Sequence, residues 1–161
     1  MSAAVGIEDW LQASVEALRE VATTALGLEG LEVGEVREAM PANVGGAFIP
    51  LSGESDSAQV GLAGGPDERK LISGALMQMP PDEAAELSTA DVADAMGEIV
   101  NIAAGGIKQR LQPKLGALAL GLPLFINGQV EATEKVITRV ADLKMGDLSL
   151  VLVIVRAREV R

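Results

Sequence analysis

Hydrophobic and polar positions along the chain follow two periods. Over 7–26, Leu11, Val15, Leu18, Val21 and Ala22 recur at three- and four-residue spacing, which makes one apolar helix face, and Gly27 supplies a stop. Period-two stretches follow at 31–39, 47–52 and 58–63, the last two joined by the turn-rich Ser52-Gly-Glu-Ser-Asp-Ser57. Gly64-Gly65-Pro66-Asp67 breaks the pattern, and Pro66 suits the first turn of a short helix to about Met79. Pro80-Pro81 stops that helix and leaves 80–88 as a loop. Ser88-Thr89-Ala90-Asp91 has the form of a capping box and opens a long helix to about Leu111. Three strand-like stretches close the chain, 117–126, 134–144 and 148–159, with Met145-Gly146-Asp147 turning the last two into a hairpin. The centre of the final strand is apolar on both faces, which places it inside a sheet or under a partner.

This order predicts an α+β fold, with an antiparallel sheet carrying two long helices outward and a shorter helix between them. The second half repeats the first. With an offset of 78, residues 16–27 and 94–105 share four identical positions and three conservative ones (Glu16/Asp94, Leu18/Met96 and Val21/Ile99). One domain over 1–161 with an internal pseudo-duplication, about 7–79 and 88–161, is the expectation.

Composition then narrows the chemistry. The chain has 161 residues, 48% of them hydrophobic, yet only Trp10, Phe48 and Phe125 are aromatic, so aliphatic side chains must build the core. Histidine and cysteine are both absent, which excludes imidazole bases, thiolate nucleophiles, disulfides and thiolate metal sites. A net charge of −10 argues against nucleic acid and anionic membranes as partners, the short basic tail from Arg156 to Arg161 notwithstanding. The N-terminus has no basic and apolar leader, and the uncharged stretch 115–130 is interrupted by three glycines and Pro123. A cytoplasmic location is expected.

The long helix separates two faces. Val92, Met96, Ile99, Ala103 and Ile107 form the apolar stripe, while Asp94, Glu98, Asn101, Gly105 and Lys108 fall on the opposite side. A polar stripe is commonly just a solvated face. Asn, however, is a poor mid-helix residue because its amide competes for backbone groups, so Asn101 gives up helix stability where it stands. Glu98 lies one turn before it and Gly105 one turn after, which sets a carboxylate beside a carboxamide on a surface that a partner's backbone can approach. Such a pair suits positioning a water and pairing with a cation; it is no nucleophile-base pair.

Asp94-x-x-x-Glu98-x-x-Asn101, followed by Gly105 and by Pro123 within Gly121-Leu-Pro-Leu-Phe-Ile-Asn-Gly128, resembles the signature of the CheC/CheX/FliY chemotaxis phosphatases. The resemblance is closest over 88–128 and extends to the whole chain in its order of elements. It implies a phosphatase acting on the phospho-aspartate of a CheY-type response regulator. Asn101 would orient the attacking water and Glu98 would pair with the regulator's lysine, with Asp94, Gly105 and Lys108 on the contact surface and Pro123 setting a strand start. The chain would need no cofactor of its own, the Mg²⁺ being the regulator's. A CheD-like second partner and a homodimer are also implied. On the first helix Glu20 keeps the acidic position but Thr23 replaces the Asn, so the chain resembles the one-site CheX kind and not the two-site CheC kind.

Two other classes stand beside this reading. One is a non-catalytic adaptor, docking a receiver, a CheD-like protein or a flagellar switch; the other is a structural oligomer-forming domain on which the stripe is incidental. The remaining features point to structure. Trp10 is expected in the core or at an oligomer contact, Met77 and Met79 as core filling, and Asp82, Glu83 and Glu86 as a solvated acidic run. The glycine pairs 45–46, 64–65 and 105–106 fit no nucleotide-binding loop.

Overall fold

A computed structural model describes residues 4–158. Helix α1 (Ile7–Thr24) leads into strand β1 (Leu31–Arg37), then into the hairpin of β2 (Asn43–Ser52) and β3 (Ser57–Ala63). Helices α2 (Pro66–Leu76), α3 (Pro81–Ala84) and α4 (Thr89–Leu115) follow. Strands β4 (Ala119–Leu120), β5 (Leu124–Gln129), β6 (Val136–Met145) and β7 (Leu148–Ala157) complete the chain. The fold is α+β, as the sequence predicts. The first three residues of the N-terminal reading, and Glu159 to the end of the basic tail, lie outside the described residues.

All strand pairs are antiparallel. The sheet runs β1-β6-β7-β3-β2-β4, with β5 also paired to β2 beside β4. The two hairpins meet at the centre through β3 and β7, from Ala58 opposite Arg156 to Ala63 opposite Val151. Each half lends a strand to the other half's hairpin, β1 to β6 and β5 to β2. With the two-residue β4 set aside, exchanging the halves therefore turns the strand order β1-β6-β7-β3-β2-β5 into its own reverse. β7 lies between β6 and β3, so its two-sided apolar centre is buried by its own chain.

Helices α1 and α4 lie side by side against one face of this sheet. Their predicted apolar stripes form the core: Leu11, Val15, Leu18, Val21 and Ala22 from α1 are buried, as are Val92, Met96, Ile99, Ala103 and Ile107 from α4. The helices approach most closely at Gly106, where a side-chain carbon would sit 3.1 Å from Ala17 Cβ. Trp10 is fully buried, and its Nε1 donates to Asp56 Oδ2 at 3.0 Å. Asp56 Oδ1 in turn accepts from Arg156 Nε at 2.9 Å, and Arg156 Nη2 donates to the Val5 carbonyl at 2.8 Å. With side chains only 7% and 10% exposed, Asp56 and Arg156 form a buried, hydrogen-bonded ion pair that ties α1 to the central sheet.

Several expectations are corrected, each for a local reason. The 80–88 stretch is not all loop, because Pro81 sits at the first position of α3 and Asp82 and Glu83 favour its N-terminal dipole. Helix α4 runs past Leu111 and through Pro113 to Leu115. Leu115 packs on the core, Lys114 lies 3.8 Å from Asp9 of α1, and Gly116, at φ 75°, ends the helix. The 117–126 stretch is two strands, interrupted at 121–123, where Gly121 N–H bonds to the Pro50 carbonyl and Pro123 brings no donor. Met77 is 39% exposed and Met79 half-buried, because α2 ends at Leu76 and Gln78 turns the chain out at φ 59°. They are not core filling.

Candidate functional site

Ser88 starts the site helix. Its Oγ accepts from the Asp91 backbone N–H at 3.1 Å, the N-cap half of the predicted box. From there α4 is a rigid rod whose outer line is fixed by the burial of its inner one. Taking 100° per residue, Asp94, Glu98, Asn101 and Gly105 cluster within a narrow band nearly opposite Met96, Ile99 and Ala103. Asp94, Glu98 and Asn101 are exposed, whereas Gly105 and Lys108 are half-buried.

A shallow groove of about 300 Å³ runs along this line. Ala93, Asp94, Gly97, Glu98 and Asn101 form its helix wall, and Gly121, Leu122, Pro123 and Phe125 its opposite wall. Pro123 does more than start β5. Its Cγ lies 3.4 Å from where a side-chain carbon on Gly97 would stand, so the proline packs on α4 at van der Waals distance and fixes the groove's width. The structure thus brings Asp94, Glu98, Asn101 and Pro123 together. Gly105 and Lys108 lie beyond the groove, further along the helix; the space over Gly105 is open within 4 Å.

The chemistry of the groove is polar and unspent. Among the described residues, no hydrogen bond or ion pair engages the side chains of Asp94, Glu98, Asn101 or Lys108. Two carboxylates along one wall attract a cation, and the Asn101 amide can both donate and accept, which suits a water molecule. Among the described residues, no hydroxyl or thiol nucleophile lines the groove. Leu122 and Ile102, both exposed beside the line, escaped the sequence reading. A signal for Leu122 was available: an apolar residue between Gly121 and Pro123 cannot be buried in a strand interior.

The matching face of α1 differs. Glu20 Oε2 accepts from Arg110 Nη2 of α4 at 3.0 Å, and Glu16 pairs with Arg19 at the same distance. Thr23 Oγ1 donates to the Glu20 carbonyl at 3.1 Å, within its own helix.

An antiparallel sheet backed by two long helices is the fold of the CheC-like chemotaxis proteins. The sequence matches the family described as chemotaxis phosphatase CheX over residues 46–140, more than half of the chain, and the chain belongs to that family. The fold is similar to that of a CheC-like superfamily protein from Shewanella sp. PV-4, with a TM-score of 0.75 at 16% identity over 93% of this chain and 98% of that one. It is also similar to the chemotaxis protein CheX from Vibrio vulnificus, with a TM-score of 0.73 at 17% identity over 91% and 97% of the two chains. A third is the CheX–CheY–BeF₃–Mg²⁺ complex from Borrelia burgdorferi, where the matched chain gives a TM-score of 0.69 at 20% identity over 95% of this chain and 97% of that one. No curated protein matches the sequence. Among the described residues, no helix is long and apolar enough to cross a membrane.

Proposed function

We propose that this protein hydrolyses the aspartyl phosphate of a CheY-type receiver and so ends a two-component signal. The observation that carries the proposal is the unpartnered Glu98-Asn101 pair, exposed on a rigid helix beside a groove fixed by Pro123. The Asn101 amide enters the receiver's phosphorylation site and holds a water in line with the phosphorus. That water forms the new P–O bond while the bond to the receiver's aspartate breaks, giving inorganic phosphate and a free carboxylate. Glu98 pairs with the receiver's lysine and keeps the two proteins in register, and Asp94 adds negative charge at the rim. The Mg²⁺ belongs to the receiver and offsets charge on the transferring phosphoryl group. A complex between a CheX protein and CheY, carrying BeF₃ and Mg²⁺, supports this division of labour.

The pseudo-twofold strand order supports reading 1–161 as one duplicated unit, with the second half carrying the site. A CheD-like regulator, a homodimer and a cytoplasmic location accompany the same proposal. The apolarity of β7 gives the homodimer no support, because β7 is central in the sheet.

The test is the phosphate lifetime of a phosphorylated cognate receiver with catalytic amounts of this protein. The wild type should shorten it with turnover and Asn101→Ala should not. Binding with an unchanged lifetime would instead favour the adaptor reading.

A further inference from the structure

Leu122 is 87% exposed, more than any other large hydrophobic residue among those described. Its position is held from both sides. Gly121 donates to the Pro50 carbonyl at 2.8 Å, and Pro123 is packed on Gly97 of α4, so the three-residue break presents Leu122 at the mouth of the acid-amide groove. Across the polar line stands Ile102, one turn after Glu98 and turned toward the α1 side of α4, 39% exposed. Leu124 is also exposed, but its register opposite Phe48 puts it on the far face of the sheet, away from the groove. Glu98 and Asn101 are thus bracketed by two apolar side chains, Leu122 on one flank and Ile102 on the other.

Resting on the phosphatase reading, we infer that Leu122 and Ile102 are the anchors by which this protein docks the receiver, setting its affinity while Asn101 sets its rate. The occupant is the face of the phosphorylated receiver around its phosphorylation site. Two features point to it. The apolar flanks are continuous with the groove that Asn101 must enter, and the carboxylates between them suit the receiver's lysine. An apolar flank around a polar centre also excludes water from the Glu98 contact and strengthens it. Leu122 contributes little to the fold where it stands, so what it buries, it buries in the complex, while Ile102 offers the smaller free part of a side chain that is already partly packed.

The experiment compares steady-state hydrolysis of the phosphorylated receiver by wild type, Leu122→Ala, Ile102→Ala, the double variant and Asn101→Ala, with thermal midpoints and sedimentation for each. Burying a leucine fully is worth roughly a ten- to 150-fold change in affinity. Leu122→Ala should therefore raise KM about tenfold or more, and the double variant further. The kcat should stay within about twofold throughout, and in Leu122→Ala the melting midpoint within about 2 °C. Ile102, being less exposed, should show the smaller rise in KM. An unchanged KM in the double variant, with an active wild type and an inactive Asn101→Ala, overturns the docking role and leaves the phosphatase reading intact. Loss of self-association in the double variant with KM unchanged also overturns it and makes the patch a contact between copies. An inactive wild type overturns the phosphatase reading itself, and the inference with it.

Discussion

Helices α1 and α4 occupy equivalent places in the two halves of the molecule, and they have opposite fates. On α1 the polar face is closed: Glu16 is paired with Arg19, Glu20 with Arg110, and the Thr23 hydroxyl is bonded to its own helix. On α4 the same kind of face is open: among the described residues, Glu98 and Asn101 have no side-chain partners beside a groove built by Pro123. The buried sides reverse the ranking, since α1 is anchored by the Trp10-Asp56-Arg156 cluster. A helix whose charges satisfy one another serves the fold. One that leaves an acid and an amide unsatisfied holds them for a partner. The two helices also touch, because Arg110, which closes the face of α1, projects from α4.

Substitutions on the two helices should separate stability from activity, and the largest effect belongs to the buried cluster. Asp56→Ala removes the buried carboxylate shared by Arg156 and the Trp10 indole N–H and should cost about 3–5 kcal/mol, measured by chemical denaturation. Next comes Asn101→Ala, which should reduce turnover of the phosphorylated receiver by about 10²-fold or more, since the water loses its positioning group. The same change should leave stability equal or raise it by about 0.5 kcal/mol, because alanine is the better helix former. Glu98→Ala should follow with about a ten- to hundredfold loss in kcat/KM, and the effect should shrink at high salt as the lysine contact is screened in wild type too. Glu20→Ala and Thr23→Ala should do least. Their exposed contacts are worth under about 1 kcal/mol, and turnover should stay within about twofold. A large loss of activity from either would erase the distinction between the faces.

Much of this arrangement was legible in the sequence, because helical and strand periods report burial directly. All ten residues assigned to the two apolar stripes are buried, and the misplaced Asn101 pointed to the open face through its cost to the helix. Sequence order alone did not show which side chains would meet across the fold. The Arg110-Glu20 pair spans 90 positions and the Arg156-Asp56 pair 100, so neither could be read from local pattern. Local competition explains the misread boundaries. Pro113 signals a helix end that packing of Leu115 overrides, while Pro81 starts a helix where a second proline suggested only a stop. Met77 lost its expected burial to a single backbone reversal at Gln78.

The central claim is that chemistry resides on α4 and not on α1. The phosphate lifetime of one phosphorylated receiver tests it most directly, followed with catalytic amounts of wild type, Glu98→Ala/Asn101→Ala and Glu20→Ala/Thr23→Ala. The account predicts a lifetime shortened alike by wild type and the α1 variant, and restored to the receiver's own value by the α4 variant. Equal activity in the α4 variant, or its loss in the α1 variant, would contradict it.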